Sequence, residues 1–258
     1  MTVITRAISD TKTMTKRNLL KSFGSPDTLV ENVISPLMTL LIFVFVLGGA
    51  MDIGDNTIRF IDYIMPGVIV LCISQCSTAT AISTSLDIER GMVDRFRSMP
   101  IAKSSVLTGR VVEAVLRTTL TVLLVVAIAL LIGFRPVAGL WGLVSAFALL
   151  ILFSFVINWI AVAFGLFVKG PEGAGAFTMF VQLFTYLSAG FIPTATLPTV
   201  LRIFAENQPF THVINTVRAF LLDTEPGGST FLAIIWCVGL LVVAFITAMQ
   251  MYRRKLTN

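Results

Sequence analysis

Residues 86–101, LDIERGMVDRFRSMPI, form a dense charged island between two long apolar segments. Within the island, apolar side chains recur at steps of four, four and three, the spacing of one stripe on a short helix: Ile88, Met92, Phe96 and Met99. Pro100 ends this helix because it has no amide hydrogen to donate. A short amphipathic helix between two membrane spans predicts a docking surface for a cytosolic protein and not a catalytic site.

The composition requires burial in a membrane. Of the 258 residues, 56% are hydrophobic and 13% are charged, which is far from the balance of a soluble globular domain. The formal net charge of +5 does not indicate a nucleic-acid partner, because the basic residues lie at the ends of apolar segments and not on one face. The three cysteines lack the spacing of a disulfide framework or a zinc site. We therefore expect an all-α integral membrane protein with no bound metal.

Six segments are long and apolar enough to be transmembrane helices, since a span needs about 20 mostly apolar residues. They are residues 33–51, 64–86, 118–134, 140–168, 174–192 and 231–251. None of them contains Asp, Glu, Lys or Arg. This fits the cost of about 2.5–3.5 kcal/mol for a charge at the centre of a span. The sequence therefore predicts six spans.

The basic residues orient these spans, because short loops rich in Lys and Arg stay on the cytoplasmic side of a membrane. Fifteen basic residues fall on the side of the charged island and of both ends of the sequence. Four fall on the other side: Arg59, Arg135, Arg202 and Arg218. We therefore predict a multi-pass protein of the plasma membrane with both termini in the cytoplasm.

Two segments outside the spans are expected to fold as helices. Residues 1–28 are polar and basic with an imperfect apolar stripe. This predicts an amphipathic interfacial helix ahead of a six-span domain of residues 29–258, with a disordered tail as the alternative. Residues 193–228 predict an outer re-entrant hairpin of two short helices, one starting at Thr196-Leu197-Pro198 and one at Pro209. This hairpin is either the mouth of a pathway or a plain surface cap.

The sequence argues against catalysis by this chain, which has a single histidine and no motif in which titratable groups converge. Its glycine cluster at residues 170–175 lacks the Gly-Lys-Ser/Thr ending that binds nucleotide phosphates. A proton- or sodium-driven carrier needs an acidic residue near mid-membrane, and no predicted span contains one. If the protein moves a compound uphill, we expect the energy to come from a partner ATPase bound at the charged island.

Polar residues inside or beside the spans allow two interpretations each. Neutral polar side chains of the second and fifth spans either line a substrate pathway or join helices by hydrogen bonds: Gln75, Thr78, Gln182 and Tyr186. Glu113 and Arg117 lie four residues apart in the order that favours a helical ion pair. Snorkelling to the membrane interface explains this pair without a function, and a role in coupling is the alternative.

Three stretches resemble the membrane subunits of type-2 ATP-binding-cassette exporters, in particular the daunorubicin-resistance-like permeases. YIMPG at residues 63–67 is similar to the family's Pro-Gly entry to the second span. ERGMVDRFRSMP at residues 89–100 is similar to its inner loop. FIP at 191–193, NQPFT at 207–211 and RAFL at 218–221 are similar to its outer hairpin. The sequence departs from the family at Asp94, often glutamate, and at Gln208, which separates Asn207 from Pro209.

The resemblance implies a dimer of six-span permeases, identical or paired with a sister permease, that carries cytosolic ATPases and exports a drug, a lipid or a lipid-linked metabolite. Residues 87–101, here called the docking segment, would be the coupling helix. The resemblance implies these docking residues: Glu89, Arg90, Gly91, Met92, Arg95, Phe96, Arg97 and Pro100. It implies an outer gate at Pro193, Pro209, Phe210 and Arg218. ATP and Mg²⁺ would bind to the ATPase, so that this chain carries no cofactor and contacts only proteins and membrane lipid.

Two functions of other classes stay open. One is a channel or secondary carrier that works without ATP, and the other is a membrane scaffold whose docking segment recruits a signalling protein.

Overall fold

The computed structural model describes residues 10–19, 26–47, 59–91, 103–191, 197–225 and 227–257. Every regular element in these ranges is helical. The helices are α1 at residues 10–19, α2 at Pro26–Leu41 with a π-helix at Ile42–Leu47, α3 at Phe60–Glu89, α4 at Lys103–Ile132, α5 at Leu140–Phe167, α6 at Gly170–Tyr186, α7 at Thr199–Asn207, α8 at Pro209–Leu222 and α9 at Ser229–Thr257. The all-α class predicted from the sequence is confirmed for this part of the chain.

Helix α3 lies at the centre of the protein. It packs against α2, α4, α5, α6 and α8. Of its most apolar stretch, 78% is buried inside the protein, against 22–39% for the corresponding stretches of α4, α5 and α9. Small residues allow this close packing, since Gly165 of α5 comes so near α3 that an added Cβ atom would lie 2.5 Å from the Ala81 carbonyl oxygen.

The long helices run between two ends of the molecule. At one end, here called the hairpin end, α8 meets the start of α3 and the α4–α5 connection, where the amide groups of Val137 and Ala138 donate to the Leu221 carbonyl oxygen. The other end, here called the docking end, is where α3 runs into the docking segment. Here α1 packs on α4, with the Thr15 hydroxyl 3.3 Å from the carbonyl oxygen of Gly109.

In the part of the chain that the structure describes, four helices are long and apolar enough to cross a membrane: α3, α4, α5 and α9. Their outward faces are apolar, as shown by Leu131 of α4 and Trp141 of α5, which are 88% and 84% exposed. The first and fifth predicted spans form helices that are shorter, with an apolar stretch at Val33–Val46 in the first and 17 residues in α6. The described residues thus contain four candidate spans, and the six-span plan stays a prediction.

Two helices, α4 and α7, begin at other residues than those named from the sequence, and α8 begins where it was predicted to begin. Helix α4 begins at Lys103, well before residue 118, which places its polar first half inside the bundle. Helix α8 begins at Pro209 as predicted, with the proline at the position where its missing amide hydrogen costs nothing. Helix α7 begins at Thr199, one residue after Pro198, and not at the predicted 196–198.

Candidate functional site: the docking end, the α3 stripe and the hairpin end

The docking segment begins within the last turn of α3. Asp87, Ile88 and Glu89 belong to this helix, which ends at Glu89. Gly91 has a φ of 65°, a left-handed conformation that ends a helix at low cost in glycine alone. The predicted stripe therefore does not run through one continuous helix from Ile88 past Gly91. Residues 92–102 lie outside the described residues, and with them Met92, Arg95, Phe96, Arg97 and Pro100.

An ion pair fixes the start of the docking segment to α4. The Arg110 guanidinium binds the Asp87 carboxylate and the Ser83 hydroxyl. The side chains of Arg110 and Asp87 are only 11% and 16% exposed, so water screens the pair weakly. The pair therefore ties the end of α3, where the docking segment begins, to α4. Of the predicted docking residues in this region, Glu89 and Arg90 are exposed, and Gly91 is half-buried.

A buried polar cluster joins α3, α4 and α5 further inside the protein. Its members are Thr80, Glu113, Arg117, Ser154 and Asn158. Arg117 Nε lies 3.2 Å from Glu113 Oε1, and its Nη2 lies 3.4 Å from the Thr80 hydroxyl oxygen. Thr80 in turn donates to Asn158 Oδ1 at 2.8 Å, and Asn158 Nδ2 donates to the Ser154 carbonyl oxygen at 2.8 Å. Three helices thus share one hydrogen-bonded unit.

The sequence predicted the Glu113–Arg117 pair correctly, but its expected snorkelling to the interface is wrong. The Arg117 and Glu113 side chains are only 6% and 8% exposed. Because α4 begins ten residues before Glu113, both side chains point into the bundle and not to its rim. Arg117 Nη1 has no hydrogen-bond partner among the described residues. The carboxylate is neutralised by its neighbour and is not a free acidic site of the kind a cation-driven carrier uses.

Half-exposed residues of α3 form one stripe along the helix. Between residues 75 and 86, they recur at helical spacing and include Gln75, Thr78, Ala79 and Ile82. Thr178 of α6 donates to the Thr78 hydroxyl at 3.0 Å, and Ser74 lies 3.2 Å from Thr185, which sets the antiparallel register of the two helices. This register places Gln75 level with Gln182. Three of the four predicted pathway residues therefore lie along the packed α3–α6 pair: Gln75 and Thr78 on α3 and Gln182 on α6.

The fourth predicted pathway residue, Tyr186, lies nearer the hairpin end. It is 41% exposed and its ring centroid is 5.6 Å from that of Phe191. Gln75 Oε1 is buried without a hydrogen-bond partner among the described residues. An unpaired amide oxygen is expensive inside a protein, so Gln75 is the member of this set that most needs a partner.

At the hairpin end, Arg218 connects three segments. Its Nε donates to the Tyr63 carbonyl oxygen at 3.1 Å and its Nη2 donates to the Ala189 carbonyl oxygen at 2.8 Å. The guanidinium carbon lies 4.0 Å from the Tyr63 ring centroid, a cation–π contact. Burial lowers the pKa of Arg218, and Tyr63 opposes that shift. Arg218 thus fixes α8 to the start of α3 and to the segment after α6.

Two other predicted gate residues also lie at this end. Phe210 is 6% exposed and meets Phe153 edge-to-face at a centroid distance of 5.2 Å. Pro209 begins α8. Pro193 lies outside the described residues.

The neighbouring Asp62, which the sequence analysis did not single out, accepts hydrogen bonds from the Arg59 side chain and from the backbone amide of Arg135. It thereby ties the α4–α5 connection to α3.

Sequence reasoning missed Asp87 with its partner Arg110, and Asn158. Asn158 stands alone in an apolar helix, and a lone amide in a span is a signal of helix association that could have been used. Arg110 offered no such signal, because its partner lies 23 residues away across the docking segment.

Comparison with known proteins identifies the family. Residues 9–222 match the ABC-2 type transporter family. The daunorubicin resistance ABC transporter permease protein DrrB1 of Streptomyces coeruleorubidus is 31% identical over 250 residues, covering 96% of this chain and 88% of that protein. The probable doxorubicin resistance ABC transporter permease protein DrrC of Mycobacterium tuberculosis is 20% identical over 97% of this chain and 91% of its own length. The putative transport permease ycf38 of Porphyra purpurea is 22% identical over 84% of this chain and 76% of its own length. This chain belongs to the ABC-2 type transporter family.

Proposed function

We propose that this chain is the permease subunit of an ATP-driven exporter that moves hydrophobic or amphipathic compounds outward. A separate ATPase subunit binds and hydrolyses ATP with Mg²⁺ and docks on the docking segment. The observation that carries the proposal is the position of α3, which leads directly into the docking segment, lies at the centre of the bundle and leaves half-exposed a stripe that carries Gln75 and Thr78. A single helix thereby connects the site of energy input with the site of transport.

The coupling route follows side chains of α3 and α4. A force on the docking segment acts first on Asp87, which is held by Arg110 of α4. About two turns further along α3, Thr80 contacts Arg117 of α4 and Asn158 of α5. Because these groups are buried and hydrogen-bonded, movement of α3 has to be accompanied by movement of α4 and α5. The ATPase can in this way rearrange three helices through one attachment.

The α3 stripe supplies the pathway when a second permease subunit covers it. Gln75, Thr78 and Gln182 offer neutral hydrogen-bonding groups among apolar side chains, which suits an amphipathic compound better than an ion. A second copy of this chain, or a sister permease, would bring an equivalent α3–α6 pair to the opposite side. Arg218 and Phe210 then form part of the outer gate.

The proposed orientation places the docking end in the cytoplasm and the hairpin end outside the plasma membrane. The distribution of basic residues supports this orientation. The packing supports it too, because α1 contacts α4 at Gly109 and Tyr252 near the end of α9 is buried beside Leu107 and Val111, all at the docking end. Both ends of the described chain thus lie on the side of the docking segment.

Purification of the tagged protein in mild detergent tests the proposal. We expect an ATP-binding-cassette subunit to co-purify, with ATPase activity in the complex. Phe96→Asp places a charge on the apolar docking face and is expected to abolish co-purification while membrane insertion is kept. The matched control is Phe231→Asp on the exposed start of α9, which leaves docking intact.

The alternatives predict a different result. If the protein purifies alone, without ATPase activity, under several gentle conditions, the exporter proposal fails and a carrier or scaffold is favoured. Co-purification that is unchanged in Phe96→Asp contradicts the assignment of the docking face.

A further inference from the structure

A large apolar cavity lies on the side of the bundle between α6 and α9. Its volume is about 820 Å³, within the range of roughly 300–1,000 Å³ that is usual for ligand sites. Helix α5 forms its back wall, and α7 with the start of α8 closes it at the hairpin end. Six phenylalanine side chains line it: Phe164, Phe177, Phe180, Phe184, Phe204 and Phe210. The α3 stripe contributes no side chain to this cavity, which shares with the proposed transport route only Pro209 and Phe210 at the outer gate.

The cavity has an open side that faces the surroundings of the bundle. Three of its wall residues are strongly exposed, namely Phe180 at 58%, Ile203 at 59% and Trp236 at 40%. These residues belong to α6, α7 and α9, and α9 carries a continuous apolar outer face. An apolar cavity that opens between membrane-spanning helices is accessible to lipid before any other ligand.

The shape of the cavity fits a chain that lies parallel to the helices. Phe177 and Phe184 are seven residues apart on α6, which corresponds to about 10 Å along the helix axis. The aromatic wall continues from Phe184 to Phe204 on α7, with ring centroids 5.7 Å apart. The cavity therefore extends from the hairpin end into the depth of the bundle, the direction in which acyl chains lie in a membrane.

A polar group lies on the wall at the hairpin end. Gln208, between α7 and α8, is 4% exposed, and both its amide nitrogen and its amide oxygen lack a hydrogen-bond partner among the described residues. A buried amide without a partner is rare, and a bound water, ion or ligand group is one of its ordinary explanations. By rotation of its side chain, this amide can bind a carbonyl oxygen of a ligand in the cavity.

We propose that the cavity binds one acyl chain of a membrane phospholipid, with Gln208 donating a hydrogen bond to the ester carbonyl of that lipid. The chain lies against the phenylalanine wall, and the headgroup remains at the membrane surface beside α7. Helix α7 suits this place because its exposed Val200 faces lipid while Arg202 and Glu206 pair on its surface.

Fluorescence quenching by brominated lipid tests the site. The reporter protein carries Phe177→Trp together with Trp141→Phe, Trp159→Phe and Trp236→Phe, so that its single indole lies at a wall position that is 2% exposed. The control protein keeps Trp159, which is 5% exposed and packs on Phe245 in a different cluster. Both are placed in vesicles of phosphatidylcholine with or without bromine on the acyl chains, since bromine quenches indole only at close range.

We expect bromine to quench the reporter and to spare the control, and Val181→Phe, which narrows the cavity beside Phe177 and Phe184, to reduce the quenching. Equal fluorescence of the reporter with and without bromine overturns the proposal.

A wild-type measurement covers the case in which the reporter does not fold: the purified protein is expected to retain about one phospholipid per chain by native mass spectrometry. Retention of no phospholipid, or of a compound that is not a lipid, also overturns the proposal.

Gln208→Leu tests the polar contact. The loss of one hydrogen bond is expected to weaken phospholipid retention about two- to tenfold. Gln250→Leu on the exposed surface of α9 is the matched control and leaves retention unchanged. Retention that is equal in both variants removes Gln208 from the site. None of these measurements needs ATP or a partner subunit, so a failure here leaves the exporter proposal untouched.

Discussion

Gly67 and Gly190 are in direct backbone contact at the hairpin end of the protein. A Cβ atom added to Gly67 would lie 2.8 Å from the carbonyl oxygen of Gly190, closer than real Cβ atoms approach other atoms. Gly67 follows Pro66 inside α3, and Gly190 lies in the turn after α6. The two glycines allow α6 and its following turn to pack closely onto the first turns of α3. This contact lies next to the hydrogen bonds of Arg218 with the Tyr63 and Ala189 carbonyl oxygens.

We predict that Gly67→Ala destabilises the protein by about 1–3 kcal/mol, because the new methyl group meets backbone that cannot move aside by a side-chain rotation. The measurement is the apparent melting temperature in detergent. Gly239→Ala is the control, since this position in α9 has open space for a Cβ atom. Alanine favours helix over glycine by about 1 kcal/mol, so the control should melt at the same temperature or higher. Equal melting of the two variants contradicts the predicted backbone clash.

We predict that Asp87→Asn uncouples ATP hydrolysis from transport. The change weakens the attachment of the docking segment to Arg110 while the segment itself stays intact. Co-purification of the ATPase is therefore expected to persist while transport is lost. The charge exchange Asp87→Arg with Arg110→Asp should restore part of the transport.

The control for this prediction is Arg202→Met, which breaks an exposed pair on α7 whose side chains are 50% and 42% exposed. Exposed pairs contribute about 0–1 kcal/mol, so this variant should behave as the wild type. Normal transport by Asp87→Asn would show that the pair with Arg110 does not transmit movement.

Arg117→Met leaves Glu113 buried without its hydrogen-bonded ion-pair partner. Breaking a buried ion pair in this way typically costs about 3–5 kcal/mol, so we predict a large loss of thermal stability. The double variant Glu113→Gln with Arg117→Met removes both charges and should recover most of that loss. Thermal aggregation of the three proteins in detergent measures the effect. A double variant as unstable as the single one would mean that Arg117 stabilises the protein through packing and not through its charge.

Gln75→Leu is predicted to change which compounds are transported while the complex with the ATPase still assembles. The substitution removes a buried amide whose oxygen lacks a partner among the described residues, so it should not lower the melting temperature. Transport is measured with a panel of hydrophobic compounds, and Gln250→Leu serves as the control. An unchanged transport profile would assign Gln75 to helix packing.

Much of the fold follows from local sequence. Each of the six predicted spans contains a helix, and Pro209 begins α8 as expected, because hydropathy and proline stereochemistry act over a few neighbouring residues. The same reasoning misjudged the start of α4. A polar helical turn that is buried by other helices has the same local sequence as one exposed at the membrane rim.

The candidate site was predicted in part. Thr78, Gln75 and Gln182 were named from their polarity and lie on α3 and α6, which pack against each other, while their part in a pathway stays a prediction. Asp87 and Arg110 were not named as a pair, and the exposure of Glu113 and Arg117 was misjudged. Polarity identifies a residue that needs a partner, but the rotation of each helix about its axis decides which partner it finds.

The sequence by itself determined that this protein is helical and membrane-embedded, and it pointed to the docking segment, because these properties depend on composition and on spacing along one chain segment. Tertiary structure alone decided that Arg117 meets Thr80 at a separation of 37 residues, that Gly67 touches Gly190, and that Gln208 lies beside an apolar cavity. The physical reason is that helix packing is set by the fit of side chains from distant segments. That fit has no signature in any one of them.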